Sequence, residues 1–407
     1  MTDMLYPRLR FRGFTDAWSK RKLGEVTKEY IERTTVQNQY AVLTSSQQAG
    51  VIRQEDYFAG RQITTDENVG YFVLPEGYFT YRSRSDNDVF IFNRNDLGTK
   101  GIISYYYPVF EASESDSDFL LRRINNGISD QIAIAAEGTG QHVLSMKKFA
   151  SMVAKFPTLP EQARIGELFH VLDALIAANQ RKADLLKQLK RAYLQMLFPE
   201  PSKAVPKLRF PGFTGAWEQR KLGQMGTTFT GLSGKAKDDF GHGDAEFITY
   251  MNVFANTMAV TTPGTESVEI DPRQSEVRHG DVLFTTSSET PDEVGMSSVW
   301  LGTRPNVYLN SFCFGWRPTV CINKNYLGYV LRSPKVRRQL VLLAQGISRY
   351  NISKNKAMEV LVPTPCAEEQ QRVGNLLVAL DHLITLHQRK CDRLQDLKHA
   401  YLQKMLV

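Results

Sequence analysis

The segment PRLRFRGFTDAWSKRKLG at positions 7–24 recurs at 206–223 as PKLRFPGFTGAWEQRKLG, with 13 identities in 18 positions. A second pair of segments, 161–195 and 369–403, has 20 identities in 35 positions. The two pairs stand at offsets of 199 and 208 residues, which is the pattern left by an internal repeat. The chain is therefore a tandem duplication, and each copy has a conserved opening and a conserved end.

The stretches between these paired segments, 26–156 and 225–361, share little sequence. Both copies must satisfy the same architecture, so the shared frame is interpreted as structural and the variable filling as selective. Plain drift after an old duplication is the alternative. Drift would have eroded the frame and the filling alike, so a functional reason for the contrast is favoured.

Composition limits the classes of protein that this chain can belong to. With 407 residues, 42% hydrophobic and 23% charged, it can bury two or three cores of roughly 150 residues each. The formal charge of +7 is compatible with a polyanionic partner but does not require one. The four cysteines form no C-x-x-C pair, so neither a zinc site nor a disulfide framework is expected. No apolar run reaches the roughly 18 residues of a membrane span, and a cytoplasmic protein without membrane contact is expected.

The repeated end segments carry apolar residues three and four positions apart, which predicts two long helices with a coiled-coil seam. A continuous helix over 161–197 would be about 55 Å long. We expect the two helices to pair with each other as an antiparallel coiled coil, because the duplication favours a pseudo-twofold arrangement. The predicted seam positions of the first helix are Ile165, Leu168, Leu172, Leu175, Asn179, Lys182, Leu186, Leu189, Tyr193 and Met196. Those of the second helix are Val373, Leu376, Leu380, Leu383, His387, Lys390, Leu394, Leu397, Tyr401 and Lys404.

The centre of each predicted seam is polar, at Asn179 and Lys182 and at His387 and Lys390. Polar residues at buried seam positions fix register and orientation at a cost in stability. The other interpretation is that the helix centre is exposed. The sequence does not choose between the two.

The predicted fold class is α+β, with two pseudo-symmetric globular domains that are each followed by a long helix. The predicted bounds are 1–157 and 206–362 for the globular domains, 158–198 and 363–407 for the helices, and 199–205 for the linker.

Motifs for catalysis are missing. The stretch 230–236, TGLSGKA, lacks the first glycine and the final Ser or Thr of a phosphate-binding loop. A metal-dependent nuclease typically needs paired carboxylates near a lysine, and the single D-x-K lies inside the second long helix at 396–398. We expect a chain that is not catalytic by itself and that binds no metal or cofactor.

Two variable domains, each followed by a helix that opens with LPEQ or EEQQ and ends in AYLQ, resemble the specificity subunits of type I restriction-modification systems. The similarity covers the whole chain, and its most specific motifs are LPEQARIGELFHVLDALI (159–176), QRKADLLKQLKRAYLQMLF (180–198) and RFPGFTGAW (209–217) with RKLG. One departure is that the opening-to-helix distance is nine residues longer in the second copy, so the twofold is approximate.

This resemblance implies that each variable domain is a target-recognition domain that reads one half of a bipartite site in double-stranded DNA. The helices would act as a spacer and dock two modification (methyltransferase) subunits, which restriction (nuclease and translocase) subunits then join. S-adenosylmethionine, ATP and Mg are expected on those partner subunits. Two like domains on one side of B-DNA predict half-sites roughly 10 bp apart, centre to centre.

Candidate DNA-contacting residues lie in two places in each copy, after a strand-like run and near the domain's end. In loops, their guanidinium, amide and hydroxyl groups could reach base edges or phosphates; the alternative is ordinary solvated loops. Lys148, Lys354 and Lys356 suit phosphates or solvent equally, and Tyr105, Tyr106 and Tyr107 are expected in strand core. The candidates of the first copy are Arg82, Ser83, Arg84, Ser85, Asn87, Gln141, His142 and Lys147. Those of the second copy are Thr285, Thr286, Ser287, Ser288, Arg349, Tyr350 and Asn351.

The alternative function is a structural adaptor that binds proteins and no DNA. A third reading, an independent nuclease or methyltransferase, is disfavoured by the missing motifs.

Overall fold

The polypeptide divides into two units, which we call unit 1 (residues 1–180 with 389–407) and unit 2 (residues 181–388). The structure is a computed structural model that describes residues 6–58, 67–86, 89–136, 142–261 and 264–406. Each unit contains one variable domain and a part of both long helices. Helices and strands are mixed in both units, so the predicted α+β class is confirmed. Among the described residues, none of the helices has the length and apolar character needed to span a membrane.

Short strands and short helices alternate in the first half of the chain. A four-stranded antiparallel sheet in the order β2-β10-β6-β8 lies at the centre of unit 1, with two-stranded pairs β1-β12, β3-β4, β5-β9 and β7-β11 around it. The strands are β1 Ser19–Lys22, β2 Thr27–Glu29, β3 Leu43–Ser46, β4 Gly50–Arg53, β5 Phe72–Leu74, β6 Phe79–Tyr81, β7 Arg84–Ser85, β8 Phe92–Arg94, β9 Gly101–Ile103, β10 Val109–Ala112, β11 His142–Val143 and β12 Val153–Phe156. The helices are α1 Leu23–Val26, α2 Gln54–Tyr57, α3 Ser117–Asn125, α4 Ser129–Ala135, α5 Met146–Ser151 and the long α6 Leu159–Met196.

Unit 2 is built around a five-stranded sheet in the order β14-β22-β18-β20-β16, beside a three-stranded sheet β17-β15-β21 and the pairs β13-β24 and β19-β23. The strands are β13 Glu218–Lys221, β14 Gly226–Thr230, β15 Phe240–Ile248, β16 Met258–Ala259, β17 Thr265–Val268, β18 Val282–Thr285, β19 Ser287–Ser288, β20 Ser297–Trp300, β21 Val307–Leu309, β22 Cys313–Pro318, β23 Tyr350–Asn351 and β24 Leu361–Thr364. The helices are α7 Leu222–Met225, α8 Tyr250–Ala255, α9 Lys324–Arg332, α10 Pro334–Leu342, α11 Lys354–Ala357 and the long α12 Ala367–Met405.

The repeated segments meet in space, which explains why both copies keep them. In each unit the strand of the opening segment pairs antiparallel with the strand just before the long helix, β1 with β12 and β13 with β24. A buried ion pair joins the same two segments, Arg10 to Glu161 in unit 1 and Arg209 to Glu369 in unit 2. Each carboxylate accepts two hydrogen bonds from its arginine, at 2.7 to 2.8 Å. Each repeated opening segment therefore holds the N-terminal end of the long helix that follows its domain.

Each unit packs the first part of one long helix and the last part of the other into a single core. In unit 1, Phe169 and Leu172 of α6 share a cluster of buried side chains with Met405 of α12. In unit 2, Leu377 and Leu380 of α12 share a cluster with Leu197, which follows α6. Burial of these apolar faces, at about 25 cal/mol per Å², stabilises the start of one helix and the end of the other in the core of each unit.

The observed buried line on each helix differs from the predicted seam at alternate positions. Leu175 and Leu189 are 45% and 41% exposed, while their C-terminal neighbours Ile176 and Lys190 are less exposed. The helices carry two adjacent apolar columns, and periodicity alone does not say which one faces the protein. The observed line of α6 runs through Ile165, Phe169, Leu172, Ile176, Asn179, Ala183, Leu186, Lys190, Tyr193 and Leu197. The line of α12 runs through Val373, Leu377, Leu380, Ile384, His387, Cys391, Leu394, Lys398, Tyr401 and Met405.

This shift changes the polar centre of the seam. Lys182 and Lys390 are exposed, whereas Asn179 and His387 are half-buried. The half-buried Asn179 and His387 agree with polar residues in the seam, and the exposed Lys182 and Lys390 agree with an exposed helix centre. The polar residues that join the two helices lie elsewhere: Lys190 Nζ contacts Asp381 Oδ1 at 2.6 Å in unit 2, and Lys398 contacts Asp173 at 2.6 Å in unit 1.

Candidate nucleic-acid interface

Residues that are far apart in the sequence come together in the same small ladder in both units. In unit 1, β7 pairs antiparallel with β11, so that Ser85 faces His142 and Arg84 faces Val143. In unit 2, β19 pairs antiparallel with β23, so that Ser288 faces Tyr350. The two groups of candidates predicted in each copy thus form one surface feature. The candidates Asn87 and Gln141 lie outside the described residues.

The backbone around the two ladders is held by the same hydrogen bonds. Ser83 donates its N–H and its hydroxyl to the carbonyl of Tyr106, at 2.9 and 2.7 Å. Thr286 donates its N–H and its hydroxyl to the carbonyl of Phe312, also at 2.9 and 2.7 Å. These bonds make Ser83 equivalent to Thr286 and make Tyr106 equivalent to Phe312.

A further bond extends this equivalence. The carbonyls of Ser83 and Thr286 accept the N–H of Leu144 and of Ile352, each at 2.9 Å. Leu144 and Ile352 directly follow strands β11 and β23, so the aromatic residue, the hydroxyl residue and the ladder are fixed to one another in each unit.

The predicted placement of the hydroxyl residues in loops is wrong for four of them. Ser85, Thr285, Ser287 and Ser288 are buried and lie in strands. The Thr285 hydroxyl accepts the N–H of Met296 at 3.0 Å, and the Ser288 hydroxyl donates to a Glu293 oxygen at 3.2 Å. Small hydroxyl residues are typical of turns, and their strand context was invisible because the short strand β7 or β19 has no periodicity to read. The hydroxyls of Ser83 and Thr286 also bond inside the protein, as described above.

The predicted arginines, in contrast, reach the surface. Arg82, Arg84 and Arg349 are exposed. The guanidinium carbon of Arg84 lies 4.4 Å from the ring centroid of Tyr106, and that of Arg349 lies 5.8 Å from the ring centroid of Phe312.

The prediction of strand core for the three tyrosines 105–107 is wrong. They lie in a turn after β9, and Tyr105 is 54% exposed. Phe312 is also exposed, at 55%, in the turn before β22. Tyr106 and Phe312 were not predicted to belong to this surface, because their turns show only when the structure is known.

The remaining candidates lie around the ladders. His142 and Tyr350 are half-buried, and Asn351 is exposed and donates its side-chain amide to the Arg349 carbonyl at 3.3 Å. Lys147 is exposed on α5, whose first turn is capped by the Ser145 hydroxyl.

The surroundings of the two ladders differ in charge. In unit 1 a cleft of about 570 Å³ is lined by Arg82 and Arg84 together with uncharged Ser45, Gln47 and Asn93 and by Asp86. In unit 2 a smaller cleft of about 230 Å³ places Arg349 with the carboxylates Glu289 and Glu293. The same scaffold therefore presents different donor and acceptor patterns, as two readers of different sequences would need.

The described residues offer no cluster of three or more His, Cys, Asp or Glu side chains that could hold a metal ion. Lys235, in the stretch that partly resembles a phosphate-binding loop, lies 3.4 Å from the buried carboxylate of Asp271. Hydrogen bonds from Arg273 lower the pKa of Asp271 well below its ordinary value, so this lysine faces a permanent negative charge.

Two curated relatives are both described as specificity subunits of type I restriction enzymes. The chain is 20% identical over 375 residues to the type I restriction enzyme MjaVIII specificity subunit of Methanocaldococcus jannaschii, covering 82% of this chain and 86% of that protein. It is 22% identical over 289 residues to the putative type I restriction enzyme MjaX specificity subunit of the same organism, covering 67% of this chain and 63% of that protein. No family model matches the sequence.

Solved structures share the fold over nearly the full length. The S subunit of a type I restriction-modification system from M. genitalium superposes with a TM-score of 0.58 at 13% identity, covering 99% of both chains. A chain from a study of complex assembly and conformational transition of the type I R-M system superposes with a TM-score of 0.52 at 18% identity, covering 96% of this chain and 98% of that chain. These comparisons confirm the resemblance drawn from the repeated segments.

Proposed function

We infer that this chain is the DNA sequence-specificity subunit of a type I restriction-modification complex. It supplies recognition and is not an enzyme by itself. The observation that carries this inference is the repeated ladder: each unit presents an equivalent pair of short strands with an exposed arginine over an aromatic ring, in surroundings that differ between the units. Each variable domain would then read one half of a bipartite site in double-stranded DNA.

Reading would combine two kinds of contact. Phosphate contacts give affinity and register, and Lys147 and Arg82 are exposed cations suited to them. Base-edge contacts give sequence choice, for which Arg84, Arg349 and Asn351 have suitable donors. The hydroxyls of Ser83, Thr285, Thr286 and Ser288 would act by holding the ladders rather than by touching bases. Ser85 and Ser287 are buried in the ladders themselves.

The two long helices would form the spacer between the half-sites as an antiparallel coiled coil. This proposal is supported by the sharing of helices between the units, since each unit packs the start of one helix with the end of the other. The matched Lys–Asp pairs at offset 208 support a pseudo-twofold relation. In this proposal the two globular recognition domains span residues 1–157 and 206–362, and the long helices lie outside these bounds.

The partners of the chain would be two modification (methyltransferase) subunits docked on the helices, with restriction subunits joining that core. S-adenosylmethionine, ATP and Mg would be bound by those partners. The related structure described in terms of complex assembly supports this arrangement.

The direct test is to express the chain with its methyltransferase partner and to map methylated adenines across the host genome by long-read sequencing. The expected result is one motif of two short specific tracts around a fixed gap, with centres roughly 10 bp apart. The absence of any such motif while the partner is active would refute the proposed function.

The adaptor alternative makes a different prediction about salt. Binding to DNA releases counterions, so the logarithm of the affinity should fall by about 0.9 per phosphate contact for each tenfold rise in salt. A complex held by an apolar helix seam should change little. If the affinity of the assembled complex for its DNA target changed little with salt concentration, the adaptor alternative would be favoured.

A further inference from the structure

Two arginines reach the same aromatic position in the two variable domains, although they come from opposite sides of the ladder. Arg84 belongs to β7, and its guanidinium carbon lies over the Tyr106 ring, 4.4 Å from the centroid. Arg349 directly precedes β23, the counterpart of β11, and its guanidinium carbon lies over the Phe312 ring, 5.8 Å from the centroid. Tyr106 and Phe312 are equivalent by the hydrogen bonds that fix their carbonyls. Both domains therefore contain an arginine over an aromatic ring at the same place, and the arginine comes from a different sequence position in each.

The residues at the exchanged positions show that the two solutions are alternatives. By ladder register, Ser287 stands in unit 2 where Arg84 stands in unit 1, and it is buried. If the variable sequence had drifted freely, the loss of an arginine at the Arg84 position would not be expected to coincide with an arginine over the same ring from the other side of the ladder. The guanidinium over the ring is thus the shared feature, and its position in the sequence is not.

These two arginines also differ from the other stacked arginines of the described chain. Arg10, Arg33, Arg317 and Arg372 each lie over an aromatic ring as well. Each of those four donates to a carboxylate or a backbone carbonyl. Within the part of the chain that the structure describes, the guanidinium groups of Arg84 and Arg349 form no such hydrogen bond.

A guanidinium that lies over a ring is attracted by the ring face and keeps the N–H groups at its edge available for a ligand. The ring also limits the rotamers of the arginine, so less side-chain freedom is lost on binding. In unit 1 the ring is itself held in place, because the hydroxyl groups of Tyr105 and Tyr106 are 3.2 Å apart and their ring centroids are 4.3 Å apart. Guanine O6 and N7 form the acceptor pair that matches this bidentate edge.

We propose that Arg84 and Arg349 each read a guanine in the half-site of their own domain, and that Tyr106 and Phe312 are the positioning residues for these two guanidinium groups. This inference rests on the proposed function of the chain. It adds that both half-sites contain a guanine at the position that the arginine reaches.

The test uses the complex of the full chain with its methyltransferase partner. Arg84→Ala and Arg349→Ala are compared with the wild type by mapping methylated motifs and by measuring binding to duplexes that differ at one base. The matched control is Arg82→Ala, an exposed arginine two residues before Arg84. We expect Arg84→Ala to reduce discrimination at one guanine by about 5- to 150-fold and to leave the other half-site unchanged.

Arg349→Ala should do the same in the opposite half-site. The control should weaken binding to all sequences alike without changing the motif. Equal melting temperatures of the variants and the wild type would show that the folds are intact.

The positioning role has its own test, because the two domains use interchangeable rings. Tyr106→Phe and Phe312→Tyr keep a ring and should keep the motif. Tyr106→Leu and Phe312→Leu keep an apolar side chain but remove the ring, and should lose discrimination at the same guanine as the matching arginine variant. Retained discrimination in the leucine variants would overturn the positioning role.

The outcomes separate this inference from the function on which it rests. A wild-type complex that methylates no bipartite motif refutes the proposed function. A bipartite motif that lacks guanine in one half, or that is unchanged in the arginine variants, refutes the inference and leaves the function standing.

Discussion

Replacement of Arg10 by alanine should be among the most destabilising single changes in unit 1. The Glu161 side chain is completely buried, and its two oxygens accept Arg10 nitrogens at 2.7 Å each. The hydrogen bond to Glu161 raises the pKa of Arg10 above its ordinary value, so the arginine stays protonated. Removing one member of a buried ion pair costs about 3 to 5 kcal/mol, because the other charge stays buried without compensation.

The second copy supplies a comparison within the same molecule. Glu369 accepts two bonds from Arg209 and a third from the indole N–H of Trp217 at 3.1 Å. Trp18, the counterpart of Trp217, has an indole N–H without a hydrogen-bond partner in the described chain. A hydrogen bond to a charged group contributes about 1.5 to 3 kcal/mol. We therefore expect Arg209→Ala to destabilise unit 2 by about 1 to 3 kcal/mol, less than Arg10→Ala destabilises unit 1.

Hydrogen exchange measured by mass spectrometry is the suitable assay, since it reports the opening free energy of each unit separately. The control is the double variant Arg10→Met with Glu161→Leu, which removes both charges and should recover most of the lost stability. A loss below about 1 kcal/mol for Arg10→Ala, an equal or larger loss for Arg209→Ala, or a double variant no more stable than the single one would refute the reasoning.

Three further predictions concern the helices and the thiols. Asp381→Asn should lower the opening free energy of unit 2 by about 1 to 2 kcal/mol, because Lys190 loses a charged acceptor at 2.6 Å; hydrogen exchange should show unit 1 unchanged. Alkylation at pH 8 should label the exposed Cys321 and Cys366 in the folded chain, whereas burial raises the pKa of Cys313 to about 12 and should protect it until denaturant is added, as peptide mapping can check. Inserting one heptad in each long helix should lengthen the spacer by about 10 Å and widen the gap of the methylated motif by about 3 bp; an unchanged gap would contradict the spacer role.

The local sequence predicted the long helices closely. The helical segments predicted at 158–198 and 363–407 contain the helices Leu159–Met196 and Ala367–Met405, and the first helix ends before two prolines. Such segments are predictable because heptad periodicity accumulates over many turns. The same periodicity left the seam ambiguous by one position, since Leu175 and Ile176 are both apolar and only packing against a neighbour selects one of them.

The candidate surface was predictable in part. Arg84 and Arg349 were identified from residue type and from their matched positions in the two copies. The roles of Ser83 and Thr286 were misjudged, because a hydroxyl in a short polar stretch has the same sequence signal whether it faces solvent or a carbonyl. Tyr106 was assigned to the core for a similar reason: tyrosines beside a strand are usually buried, and a turn of the chain reversed that here.

The duplication, the α+β class, the two long helices and the resemblance to a family were all readable from the order of residues, because repeats and helical periods are properties of that order. Packing selected which helix column is buried and which hydroxyls are internal, and it placed Tyr106 and Phe312 under arginines from opposite sides of the ladder. Those facts depend on contacts between residues more than 20 positions apart, such as Ser83 with Tyr106. A local pattern cannot encode such contacts, because they form only when the ladders and turns of a unit pack together.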